Sequence, residues 1–166
     1  IAAAAGAAVI RESAENGETS AVDFARVALK QSGREAVLII PADMPLLRAA
    51  DVEAVLVQVP VDAAAPYALL VPSHDKLGTN ALLLAPPDVI PLRFGHDSFT
   101  FHSCQVAARG LPVRYVENEH LALDIDEPKD LERFLSYRYL GGDSTRVAQE
   151  LLAARVAQTA QGSGGA

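Results

Sequence analysis

One cysteine, no tryptophan, few aromatics and no basic surplus: each shortage removes a class of function. Cys104, alone, rules out an intrachain disulfide and a cysteine-built zinc site. It suits a reducing, cytoplasmic setting. With 14 Lys and Arg against 21 Asp and Glu, the formal net charge is -7. Such a chain has no charge surplus with which to displace counterions from nucleic acid or to hold an anionic membrane surface. No apolar run approaches a membrane span, since the alanine-rich opening stops at Gly6. Neither a Gly-x-Ser-x-Gly elbow nor a Walker-type phosphate loop occurs. Small phosphorylated ligands stay within reach, because a metal and a few backbone amides can supply the positive field.

What is present reads as one core. Half of the 166 residues are hydrophobic, and they fall into short continuous runs separated by amphipathic stretches. Strands are expected at 7–10, 36–40, 67–71, 80–84, 113–116 and 121–125. The run Ala36-Val37-Leu38-Ile39-Ile40 suits a strand covered on both faces. A capping box of Ser20 and Asp23 should open a helix that ends at Gly33. Asp51 should cap a second helix, and Ser98 a third that stops at Gly110. Glu127-Pro128 should begin a fourth, with proline in the first turn where its missing donor costs little. A last helix is expected over 144–157, its apolar stripe at Leu151 and Leu152 either packing on the domain or joining a homodimer.

Strands alternating with helices imply an open α/β sheet, mostly parallel and flanked by helices, made mixed by a hairpin about Gly78. The expected organisation is a folded domain over 1–140, a helix over 141–158 and a flexible tail over 159–166. The start at Ile1, without methionine and on an alanine stretch, predicts an N-terminally truncated chain.

Ligands of open α/β sheets settle beyond the carboxyl ends of strands. Asp43 follows one such end, and Asp124 and Asp126 lie at or just past another, on one side of their strand by alternation. Hard carboxylate oxygens that leave room for water and phosphate are what magnesium prefers. Each aspartate alone serves equally well as the cap of a neighbouring turn. Leu77-Gly78-Thr79-Asn80 offers close backbone approach with a hydroxyl and an amide. Gly95 and Ser98 stand just ahead of a helix, where amides and the helix dipole attract phosphate, or where they form an ordinary turn and cap. His102 and His120 have no metal-cage spacing, and Cys104 reads as a packing residue.

Taken together these segments resemble a known family. Pro41-Ala42-Asp43-Met44-Pro45-Leu46 is similar to the D-x-P-L turn of GT-A-like, Rossmann-like nucleotidyltransferases. Leu123-Asp124-Ile125-Asp126-Glu127-Pro128-Lys129-Asp130-Leu131 resembles their closing motif. Gly78-Thr79-Asn80 and Phe94-Gly95-His96-Asp97-Ser98-Phe99, in this order between them, resemble the 2-phospho-L-lactate guanylyltransferases of coenzyme F-420 biosynthesis. The resemblance implies that magnesium is held by Asp43 and by one of Asp124 and Asp126, with Asp43 and Asp126 catalytic. It implies that Thr79, Gly95 and Ser98 hold the acceptor's phosphate. The implied reaction joins GTP to phospholactate, phosphoenolpyruvate or 3-phosphoglycerate and releases pyrophosphate. The family's opening strand and basic glycine loop have no counterpart in this sequence, and Glu15 and Ser20 stand roughly where the base would be recognised. The alternatives are a relative of molybdenum-cofactor or isoprenoid type, or a non-catalytic module on the same fold.

Overall fold

The computed structural model describes residues 2–59, 66–137 and 141–162, with the side chains of 157 and 159–162 undescribed. After a 3-10 turn at Ala3–Ala5, the elements are α1 (Glu18–Gln31), β1 (Val37–Ile39), α2 (Ala49–Leu56), β2 (Tyr67–Pro72) and β3 (Thr79–Ala85). Then come α3 (Ser98–Ala108), α4 (Pro128–Leu135) and α5 (Asp143–Gly162). The fold is α/β.

Among the described residues the sheet has three strands in the order β1-β3-β2. Both pairings are antiparallel, with Leu38 opposite Leu83 and Leu69 opposite Leu83. The expectation of a mostly parallel sheet is therefore corrected. A hairpin at 73–78 turns β3 back, and β3 inserts between β2 and β1, so its direction opposes both neighbours. Among the described residues the one parallel contact is an isolated bridge from Leu70 to Tyr115. It is made by Leu70 N–H donating to the Arg114 carbonyl and Val116 N–H donating to that of Leu70.

Alternation along β2 and β3 sends side chains into two cores, one on each face. Leu69, Val71, Ala81 and Leu83 meet Met44 and Val55 on one side. Leu70, Leu82 and Leu84 meet Ile90 and Val106 on the other, with Val22 packed against them. Helix α2 thus covers one face while α1 and α3 cover the other, which explains why these strands read as unbroken apolar runs. A third cluster of Leu46, Leu123, Phe134 and Ala148 ties α4 and α5 to the segments that carry the aspartates.

Three expected strands do not form. Residues 7–10 are exposed and without regular pairing. The stretch 113–116 makes only the bridge at Tyr115, and 121–125 begins in a turn and continues irregularly. Helix starts differ too. Gly17, at φ 85, precedes α1, so Ser20 lies inside the helix instead of capping it. Asp51 is the third residue of α2, where its carboxylate accepts the Arg48 N–H at 2.9 Å, and Asp97 precedes α3. Helix α5 runs to Gly162, and 163–166 lie outside the described residues. Ala148 is buried against α4, while Leu151 is exposed.

Candidate active site

A cleft of about 380 Å³ opens where the ends of β1 and the 73–78 hairpin face the start of α4. Asp43, Asp124 and Asp126 line it, and so do Thr79, Gly95 and Ser98. Residues that the sequence scatters over more than eighty positions thus share one space. Glu15 and Ser20 are not among its lining residues; Glu18, in the first turn of α1, is.

Each carboxylate is set by its neighbours. Met44, within the 41–45 turn, and Leu46, just after it, are buried in different clusters and pin it, while Asp43 is exposed. Asp130 caps α4 by accepting the Glu127 N–H at 2.7 Å and the Asp126 N–H at 3.2 Å, which fixes the backbone that carries Asp126. Asn80 donates from one amide nitrogen to the Leu121 carbonyl at 2.9 Å and to Asp124 Oδ1 at 3.2 Å. Burial, then the nearby charges of Asp124 and Asp43, raise the Asp126 carboxyl above its ordinary value. Burial, then Asp43 and Asp126, do the same for Glu18. Sequence reasoning missed Glu18 because the capping-box pattern set the helix start three residues late, at Ser20 instead of Gly17.

Among the described residues no three acidic, histidine or cysteine side chains form a ready-made metal cage. The donor set still fits magnesium, which takes one or two carboxylates and fills its octahedron with water and substrate phosphate oxygens. The carboxyl groups of Asp43 and Asp126 have no basic partner among the described ion pairs, and Asp126 is raised by burial and then by the neighbouring carboxylates. Lys129, which also lines the cleft, pairs with Glu127.

The rest of the lining is rich in hydroxyls and tight backbone. Ser73 Oγ donates to Asp75 and accepts the Gly78 N–H, both at 2.7 Å, so the hairpin before β3 is held by its own side chains. A Cβ at Gly78 would come within 3.1 Å of Ser73 Oγ, so the hairpin has little room for a larger residue. Thr79 N–H donates to Ser98 Oγ at 2.9 Å, joining β3 to the first turn of α3. Gly95, at φ +96, makes the turn into that helix in a conformation that L side chains rarely adopt. Thr19 Oγ1 accepts the Phe94 N–H at 3.0 Å, anchoring this turn to α1.

Behind the cleft, Asp51 is a buried carboxylate with three donors. Asn118 Nδ2 and His120 Nδ1 donate at 3.0 Å and Arg48 N–H at 2.9 Å. Burial alone would raise its pKa, but the bonds from Asn118, His120 and Arg48 outweigh burial and hold it below the ordinary 3.8. A lowered folded pKa stabilises the fold above the unfolded value, and that stabilisation is lost as pH falls through the folded one. Asp51→Asn should therefore cost about 1–3 kcal/mol at pH 7 by urea denaturation, with the gap to the parent closing below about pH 4. A pH-independent gap would show that the charge is not what holds α2 to the 118–120 turn.

The family model described as "Guanylyl transferase CofC like" matches residues 2–154. A phosphoenolpyruvate guanylyltransferase from Rubrobacter xylanophilus is 40% identical over 117 residues, covering 70% of this chain and 56% of the relative. One of the same name from Sphaerobacter thermophilus is 38% identical, covering 68% and 52%. A 3-phospho-D-glycerate guanylyltransferase from Colwellia psychrerythraea is 37% identical over 132 residues, covering 80% and 60%. The chain spans a little over half the length of these relatives. With the aspartate and hydroxyl motifs on one cleft and the match running over nearly the whole sequence, the chain belongs to the CofC-like guanylyl transferase family.

Proposed function

We propose that this protein transfers GMP from GTP to a three-carbon phospho-acid, with magnesium, and releases pyrophosphate. The observation that carries the reading is the sharing of one cleft by two chemically unlike sets of groups, the carboxylates of Asp43, Asp124 and Asp126 and the hydroxyls of Thr79 and Ser98. The relatives' names supply the acceptor class: phosphoenolpyruvate for some, 3-phospho-D-glycerate for others. 2-Phospho-L-lactate belongs to the same class, and the resemblance connects the product to coenzyme F-420 biosynthesis. A GT-A-like fold and a cytoplasmic setting accompany this proposal; among the described residues no helix is long and apolar enough to cross a membrane.

The chemistry suits the residues. An oxygen of the acceptor's phosphate attacks the α-phosphorus of GTP, a new P–O bond forms, and the bond to the β-phosphate's bridging oxygen breaks as pyrophosphate leaves. The attacking oxygen is already ionised near neutral pH, so no tuned general base is needed. Thr79, Ser98 and the backbone at Gly95 hold the acceptor's phosphate and orient it, which is the entropic part of the catalysis. Asp43 and Asp126 would hold magnesium, with Asp124 steadied by Asn80. When bound there, magnesium supplies charge screening at the α-phosphate.

Pyrophosphate release by the full-length protein tests this, with GTP, CTP, ATP and UTP each offered phosphoenolpyruvate, 3-phosphoglycerate and phospholactate. Release with GTP and one acceptor is expected. Silence across the panel from folded protein, or release with another nucleotide only, would overturn the reading.

A further inference from the structure

The site's hydroxyl wall depends on a histidine that does not line the cleft. His102, on α3, is fully buried. Its ring is held edge-on between Phe94 and Phe101, each with its centroid 5.6 Å away. Nε2 lies 3.1 Å from the Arg93 backbone nitrogen, and Nδ1 lies 2.9 Å from Thr79 Oγ1. A backbone N–H can only donate, so Nε2 must be the bare nitrogen and Nδ1 must carry the proton. The opposite tautomer would set two hydrogens against each other. His102 therefore donates to Thr79, and the hydroxyl of Thr79 is left to donate its own proton elsewhere. Ser98 Oγ is placed alike: it accepts the Thr79 N–H and keeps its O–H free to donate.

We propose that His102 is a positioning residue that fixes the Thr79 hydroxyl as a donor to the acceptor substrate's phosphate. The inference rests on the phospho-acid reading of the cleft and deepens it. An unconstrained threonine hydroxyl presents a lone pair as readily as a proton, and a lone pair repels a phosphate. Reading the tautomer through Arg93 removes that ambiguity, so Thr79 and Ser98 together form a pair of hydroxyl donors. Burial, then the nearby charges of Arg93 and Arg26, lower the imidazole's pKa to about 4, so the ring is neutral at physiological pH and the tautomer persists.

Two substitutions separate positioning from packing. In His102→Asn the amide nitrogen takes the place of Nδ1 and keeps the donor to Thr79. In His102→Gln the amide reaches the place of Nε2, keeping the bond to Arg93 but losing the donor. With the full-length protein, His102→Gln should raise the KM for the phospho-acid about tenfold, the loss of one hydrogen bond to a charged group, with the KM for GTP unchanged. His102→Asn should stay within about threefold. In a Thr79→Val background, His102→Gln should add nothing to the phospho-acid's KM. Equal effects of the two variants, or a persisting effect in the Thr79→Val background, would overturn the proposal. Nitrogen NMR of the four histidines supplies a readout independent of turnover. The signal lost in His102→Asn should have the Nδ1–H pattern, and an Nε2–H pattern overturns the inference whatever the enzyme does. Calorimetry keeps the two failures apart. Wild type that binds none of phosphoenolpyruvate, 3-phosphoglycerate and phospholactate sinks the substrate reading and this inference with it, whereas wild type that binds while both variants match it sinks only the role of His102.

Discussion

Asp126→Asn is expected to lower turnover by on the order of a thousandfold or more while leaving the fold at least as stable as the parent. Both halves follow from one feature. Burial and the charges of Asp124 and Asp43 raise the Asp126 carboxyl, so its ionised form is disfavoured in the folded chain. For an acid raised in this way, the penalty is present above the folded pKa and relieved as pH falls through it. Asparagine removes the penalty at every pH, and metal-free melts should show an equal or higher Tm. The same repulsion is what a divalent cation would relieve, so magnesium should raise the Tm of the wild type and fail to raise that of the variant. Among the described residues no donor bonds the Asp126 carboxylate, whereas Asp124 Oδ1 already accepts from Asn80. Asp124→Asn should accordingly cost less activity than Asp126→Asn. Substantial magnesium-dependent turnover by Asp126→Asn, together with an unchanged magnesium shift, would remove Asp126 from the role proposed for it.

The parts of the fold legible in the sequence are those whose chemistry is local. β2 and β3 are buried on both faces, and their runs Tyr67-Ala68-Leu69-Leu70-Val71 and Asn80-Ala81-Leu82-Leu83-Leu84 say so directly. Helix α4 carries its signal in Pro128 at the start and Phe134 in the core. What failed depends on distant partners. The 121–125 stretch has the apolar content of a strand, but its backbone is held by the Asn80 amide and the Asn118 turn instead of a ladder. Two caps compete at the start of α1, and a bond from Thr19 to Phe94, 75 residues away, accompanies the earlier start. Sheet direction depends on where β3 inserts, which no periodicity encodes. Asp43, Thr79, Gly95, Ser98, Asp124 and Asp126 were visible as short motifs, and their meeting in one cleft was implied by the family resemblance and not by spacing. His102 could not be found from spacing, because its partners lie on β3 and in the loop before α3.

Asn80→Asp should be strongly damaging although it changes a single heavy atom. Asn80 is 4% exposed, and its amide nitrogen faces two acceptors, the Leu121 carbonyl and the Asp124 carboxylate. An ionised aspartate offers only lone pairs to both and adds a second negative charge beside Asp124. The cost at pH 7 should be about 3 kcal/mol or more, against about 1–3 for Asn80→Ala, which leaves the acceptors unpaired without repelling them. The introduced carboxyl must have a raised folded pKa, so its penalty holds above that value and lessens as pH falls through it. Relief is partial, since a protonated carboxyl supplies one donor where the amide supplies two. Urea denaturation between pH 4 and 8 should show the Asp variant below the Ala variant at neutral pH, the two converging in acid. The two variants running parallel at all pH values would mean that Asn80 fills space and does not hold the 121–126 segment. Convergence would locate the tie between β3 and the aspartates in one side-chain amide. Thr79 and Asn80 are adjacent on β3, so one stretch of strand serves both sets of groups in the cleft, Thr79 bonding to Ser98 and Asn80 to Asp124.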